Sequence, residues 1–287
     1  MAARGQVVKY LLLSIIFSIV ALLAMAASVR RESLAARLAT PAIFGLWLLW
    51  LWQALVKGFA VPAILLPAPS AIFTALSANA GMLAADFVQT VLRSVLPGYI
   101  IGCVGGFLLA LAIDRSDFLK RGLMPLGNLV SAMPIIGIAP IAVMWFGFGW
   151  QSKAAVVAAM TIFPMLVNTT AGLGEAGVLE RELLLSYAAS YPVTLLKLRL
   201  PAALPHIFAA LKLNSTLALI GAVVAEFFGS PILGLGFRIS TEAASLNLDI
   251  VWAAILIVAL TGSLSFAALA LLERAVTFWH PSYRNPN

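Results

Sequence analysis

Glu182-Leu-Leu-Leu-Ser-Tyr-Ala-Ala-Ser-Tyr-Pro-Val-Thr-Leu-Leu-Lys-Leu-Arg-Leu-Pro-Ala-Ala-Leu-Pro205 is an amphipathic stretch studded with polar side chains. It lies between two segments, 154–173 and 205–228, each apolar enough to cross a bilayer, since a spanning helix needs about 20 mostly apolar residues. Within it Glu182 opens a polar face with Glu180 and Arg181, and Leu183 to Leu185 supply an apolar one. Ser190 stands at an N-cap position with Pro192 in the first turn of a second short helix. Lys197 and Arg199 near the end of that helix complement its dipole, and Pro201 is expected to stop it. Two readings fit this pattern: a docking surface for a soluble partner, or an interfacial helix resting in the headgroups.

Outward from this stretch, the whole chain has the composition of a membrane protein. Of its 287 residues, 62% are hydrophobic and only 10% charged, with a mean hydropathy of +1.04. A soluble domain carries about 25% charged residues to cover itself, so the expected class is an all-α polytopic membrane protein. Apolar segments at 10–28, 41–60, 88–113, 123–148, 154–173, 205–228 and 250–272 predict about seven spans. Arg30, Arg31 and Arg37 occupy one gap, Arg115, Lys120 and Arg121 a second, and Arg181, Lys197 and Arg199 a third, with Arg274 and Arg284 at the end. By the positive-inside rule these regions face the cytoplasm, which places the C-terminus inside and the N-terminus outside. The net charge of +7 thus reads as topology and lipid headgroup contact, and nucleic acid is excluded as a partner.

Arg4 and Lys9 precede an apolar core ending in Ala24-Met25-Ala26, which also fits a secretory signal. Cleavage there would leave Arg30, Arg31 and Arg37 on the outer face, so a retained extra helix is expected. Cys103 is the single cysteine and the histidines, His206 and His280, are far apart, so no metal site is expected. Gly98, Gly102 and Gly106 recur every fourth residue and line one helix stripe, suited to a gate, a dimer helix or packing inside one subunit. Pro97 sits just ahead of them. Pro125, Pro134, Pro140 and Pro164 punctuate the following spans, each removing a helix hydrogen bond.

Intramembrane charges mark ion-coupled transport, and the spans read as nearly free of them. Lys212 and Arg93 read as snorkelling side chains. Glu226 lies beside an outer gap, where a pathway role and a local pairing are both open. Asn128, Ser131, Asn168, Thr169, Thr170, Asn214, Ser215 and Thr216 are suited to lining a passage or joining helices. Trp145, Phe146, Phe148 and Trp150 form an interfacial belt or a surface for a flat solute. On the outer face only Lys153 and Arg238 are basic, too few to assign an anion.

The stretch resembles the cytoplasmic signature of permease subunits of binding-protein-dependent ABC importers, Glu-Ala-Ala, three residues, Gly, nine residues, Ile, one residue, Leu-Pro. Aligned on Leu200-Pro201, it puts Glu182 at the acidic position, Ala188 at the glycine and Leu198 at the isoleucine. Leu183 and Leu184 replace the two alanines, and with Ala188 in place of glycine the turn before Ser190 has to manage without glycine's freedom at positive φ. The resemblance covers roughly 41–280 and points to the sulfonate, taurine, nitrate and pyrimidine-precursor branch. It is carried further by Val61–Ser70, Met133–Gly147, Phe163–Thr169 and Ala225–Gly236.

The resemblance implies a type I importer permease, a six-helix core preceded here by one extra helix in a bacterial inner membrane. Its expected parts are an N-terminal helix and basic linker at 1–40, a transmembrane domain at 41–280 with a coupling loop at about 174–204, and a tail at 281–287. It implies a homodimer that takes a sulfonate-like anion or a pyrimidine or vitamin precursor from an extracytoplasmic solute-binding protein, met by the outer loops 62–86 and 229–249. An ABC ATPase subunit would supply the energy. That ATPase would dock at Glu182, Ala188, Ala189, Ser190, Tyr191, Pro192, Leu198, Leu200 and Pro201, while Met133, Pro134, Asn168, Thr169, Asn214 and Glu226 are candidate pathway residues. No catalytic residue is expected, and no phosphate loop is present, so ATP and Mg²⁺ would be bound by the partner alone. The alternative from another class is an ion-coupled secondary transporter or channel, which has no need of an ATPase-docking helix.

Overall fold

A computed structural model describes residues 17–23, 25, 34–131, 135–229 and 232–278. Among them the regular structure is entirely helical. The helices are α1 (Leu34–Gly58), α2 (Pro69–Ala78), α3 (Ala80–Phe87), α4 (Leu96–Arg115), α5 (Asp117–Ser131), α6 (Ile135–Phe146), α7 (Trp150–Gly174), α8 (Val178–Ser186), α9 (Tyr191–Thr194), α10 (Leu200–Gly229), α11 (Leu235–Ala244) and α12 (Leu248–Val276). Two π-helical segments, π1 (Val88–Val95) and π2 (Leu195–Arg199), join α3 to α4 and α9 to α10.

Five of the described helical runs are long and apolar enough to cross a membrane: Ala39–Gly58, Ala80–Arg115, Trp150–Gly174, Tyr191–Gly229 and Leu248–Val276. These answer to five of the seven expected segments. A sixth, 123–148, is described only in part. Its described residues lie in α5 and α6, and residues 132–134 between them, Met133-Pro134 included, lie outside the described residues. Most of 10–28 also lies outside, although residues 17–23 are helical and Trp47 Nε1 of α1 donates to Ser18 Oγ at 2.9 Å.

The chain divides into two compact units, 1–81 with 239–255 and 82–238 with 256–287. In the first, Gln53 of α1 holds the start of α2 through Ser70, whose backbone N–H and hydroxyl meet its amide at 3.0 and 2.9 Å. Trp52 stacks at a tilt on Trp252, with centroids 5.1 Å apart. The second unit is built around α7. The glycine stripe of α4 lies along α7 in parallel: a Cβ at Gly98 would stand 2.6 Å from the Ala154 carbonyl, at Gly102 2.8 Å from that of Ala158, and at Gly106 it would overlap that of Ile162. Only backbone without side chains allows this approach, so of the three readings of the stripe, packing within one chain is the one realised. On another side α7 meets α10 antiparallel, with Gly172 against Ala203 and His206 and the Thr161 carbonyl accepting from Asn214 Nδ2 at 2.9 Å. Leu219 of α10 in turn contacts Gly262 of α12.

Both π segments end just before a proline, Pro97 and Pro201. At each end a residue donates to the carbonyl five positions back, Leu96 to Val91 and Leu200 to Leu195. That wider turn shifts the hydrogen-bond register where a residue without an N–H follows. Pro201 therefore does not stop the helix, contrary to expectation, and Tyr191–Gly229 is one continuous run. At 1.5 Å per residue its 39 residues extend about 58 Å, well beyond a hydrocarbon core of about 30 Å.

Candidate functional site

The segment between α7 and α10 is set by local backbone chemistry. Helix α8 ends in a Schellman arrangement: Ala189 N–H donates to Leu184 O at 3.0 Å and Ala188 N–H to Leu185 O at 2.9 Å. This geometry needs a left-handed residue at its pivot, and Ala188 supplies it at φ 51°, the conformation that glycine adopts without steric cost. Ser190 occupies the N-cap of α9 with extended backbone, but its side chain makes no capping bond; Pro192 lies in the first turn. Glu182, Ala188, Ser190 and Pro192 are exposed, while Ala189, Tyr191, Leu198, Leu200 and Pro201 are half-buried. Around them Val178, Leu179, Leu183, Leu185, Tyr187, Val193 and Leu196 are all exposed, Leu179 to 78%. A dense apolar display on a polar connecting segment is the mark of a covered surface.

Behind this face the segment is anchored by a cluster absent from the sequence reading. Arg199 grips Asp114 with two guanidinium nitrogens, Nη1 to Oδ2 at 2.6 Å and Nη2 to Oδ1 at 2.5 Å, and its Nε donates to Leu173 O at 3.1 Å. Tyr191 donates its hydroxyl to the same Asp114 Oδ2 at 2.7 Å. The Arg115 guanidinium lies 5.6 Å from the centre of the Tyr191 ring. Arg181 reaches back from α8 to the last carbonyls of α7, Leu173 and Gly174, at 3.1 and 3.0 Å.

At the opposite end of α7 and α10 lies a second cluster, and it overturns the expectation that ionisable groups are nearly absent from the interior. Asp86, Lys153 and Glu226 are all buried, with 0–1% exposure. Glu226 accepts from Thr90 Oγ1 at 2.8 and 3.0 Å and from Gly236 N–H at 2.8 Å. Thr90 Oγ1 itself accepts from Leu235 N–H at 2.8 Å, and Asp86 accepts from Gly234 N–H and Arg238 Nε, each at 2.8 Å. Three successive backbone N–H groups, 234 to 236, are thus pinned by three side chains from α3, π1 and α10. Lys153 donates to the Phe148 and Gly229 carbonyls. Burial forces this pairing, because an unsatisfied charge in the bundle is very costly. Lys153 and Arg238, the basic residues assigned to the outer face, are committed to internal partners.

Four of the six candidate pathway residues are described, and each is buried or hydrogen-bonded within the bundle. Asn168 turns its amide back to Pro164 O at 2.8 Å. Thr169 is fully buried. Asn214 bridges Thr161 O and, at 3.3 Å, Cys103 Sγ, and Glu226 belongs to the cluster above. Met133 and Pro134 lie outside the described residues. Lys212 is no snorkelling side chain: its ammonium meets Glu273 of α12 at 2.6 Å. Among the described residues no group of three or more His, Cys, Asp or Glu is placed to hold a metal ion.

Residues 102–278 match the model of a family described as binding-protein-dependent transport system inner membrane component. The chain is 32% identical over 241 residues to a probable ABC transporter permease protein of Haemophilus influenzae, covering 84% of this chain and 98% of that one. To the formylaminopyrimidine transport permease protein ThiX of Halalkalibacterium halodurans it is 31% identical, over 83% of this chain and 95% of the relative. To the putative aliphatic sulfonates transport permease protein SsuC of Bacillus subtilis it is 29% identical, over 81% and 84% respectively.

Proposed function

The chain belongs to the family of binding-protein-dependent inner-membrane transport components, and from that premise we propose that segment 174–204 docks on a separate ATPase subunit and carries its motion into the spans. The fold is that of a type I ABC importer permease, and the protein is a multi-pass inner-membrane transport subunit. The observation that carries the docking reading is the exposed apolar row from Val178 to Leu196, presented by a turn whose pivot, Ala188, takes the conformation expected of a glycine. ATP and Mg²⁺ are bound by that partner. Closure of the nucleotide-loaded ATPase moves α9 and switches the spans between inward-open and outward-open states. An ion-coupled carrier is not favoured, because the relatives are ABC permeases.

The finer parts of the reading are a homodimer enclosing the pathway, a cytoplasmic C-terminus, the domain parts at 1–40, 41–280 and 281–287, and an extracytoplasmic binding protein meeting loops 62–86 and 229–249. The solute is a small organic molecule. Because Lys153 and Arg238 are internally paired, the heterocyclic class named in the formylaminopyrimidine relative is favoured over the sulfonate class. A panel of taurine, an alkylsulfonate and formylaminopyrimidine, scored by the melting shift of the cognate binding protein, discriminates them. For docking, the tagged chain purified from its native membrane is expected to bring down an Mg²⁺-dependent ATPase. The double variant Leu185→Asp, Leu196→Asp should lower that recovery at least about tenfold with unchanged elution, since buried charge opposes apolar contact. Equal recovery refutes the docking reading.

A further inference from the structure

The run from Tyr191 to Gly229 would be a poor lever by itself. A rod transmits a push only if it does not bend, and this one contains a π turn followed at once by Pro201, the two features at which helices most often yield. The weak joint lies between α9, which presents the docking face, and α10, which enters the bundle.

We propose that Asp114 is the brace across this joint. Its single carboxylate holds Tyr191, the first residue of α9, and Arg199, the last residue of π2, so the two sides of the π turn are fixed to one point. That point is in the last turn of α4, and Arg199 simultaneously caps the end of α7 through Leu173 O. Displacement of α9 is therefore passed to α4 and α7 together instead of being absorbed at π2. The pair has the strength a brace needs. It is bidentate, and the Arg199 and Asp114 side chains are only 15% and 11% exposed, a setting in which charge-assisted bonds are strong and little screened. Asp114 is a positioning residue, and its use in transport rests on the docking reading.

Pulsed EPR on the full chain in lipid nanodiscs tests the brace. Spin labels are placed at Val193→Cys and Phe118→Cys, both exposed, in a Cys103→Ser background. The parent is expected to give one narrow distance distribution, and Asp114→Asn to widen it at least about twofold as the joint bends. Should Asp114→Asn fail to fold, Tyr191→Phe, which leaves the Arg199 pair in place, is expected to widen it to a smaller degree. A distribution as narrow as the parent's in a folded variant overturns the brace. This arm needs no ATPase, so it separates failure of the brace from failure of docking.

In the complex with the ATPase, ATP and vanadate should alter thiol labelling of Phe228→Cys, at the far end of α10, in the parent. With Asp114→Asn that alteration should be lost while ATP hydrolysis persists. An unchanged vanadate response, or loss of ATPase binding in the variant, overturns the assignment of Asp114 to transmission.

Discussion

Thr90→Val exchanges one group of nearly the same shape for another and isolates the chemistry of the buried cluster. The fully buried Thr90 hydroxyl donates to Glu226 and accepts from Leu235 N–H. Valine does neither. Loss of a hydrogen bond to a carboxylate costs about 1.5–3 kcal/mol, and an orphaned buried N–H about 1–3 kcal/mol, so the variant loses about 2.5–6 kcal/mol from the cluster. Amide hydrogen exchange resolved to single residues reads this locally. Leu235 is expected to exchange faster in any case, because its acceptor is gone. Gly236 is the informative amide: its own acceptor, Glu226 Oε2, is still present, and it accelerates only if the cluster opens as a unit. If Glu226 is loosened by about 1.5–3 kcal/mol, Gly236 exchange should rise about ten- to 150-fold. Thr90→Ser, which keeps the hydroxyl, should stay close to the parent. Gly236 exchange in Thr90→Val within about twofold of the parent would refute the claim that the three pinned amides form one cooperative staple.

Ala188→Gly relieves a left-handed alanine and is expected to stabilise the turn by about 1 kcal/mol, seen as slower proteolysis at 186–190; faster cleavage contradicts the assigned strain. Lys212→Met alone leaves Glu273 buried without its partner and should destabilise by about 3–5 kcal/mol, whereas adding Glu273→Leu should recover most of the loss. Thermal unfolding in detergent distinguishes the two, and additive losses would count against pairing.

The apolar spans were legible because hydropathy is a local property, and five of the expected segments are single helical runs. Ala188 was legible only in part: its alignment with a glycine marked the turn, but the turn was expected to manage without glycine's freedom at positive φ, and Ala188 takes that conformation all the same, at φ 51°. Asp114, Asp86 and Lys153 were not legible, because each stands at the margin of an apolar run, where a charge needs no buried partner to account for it. Their partners lie 85, 152 and 76 residues away, and no periodicity reports a contact at that range. Pro201 misled for a related reason. A proline is a stop signal only if the preceding turn is α-helical, and the register shift of π2 carries the helix through it.

The glycine stripe has a mechanical consequence. With bare backbone of α4 seated against α7 at three successive levels, each 56 positions apart in the chain, neither helix can roll about its own axis without a collision. They must travel together like the two rails of a ladder, so a push delivered to either one carries both.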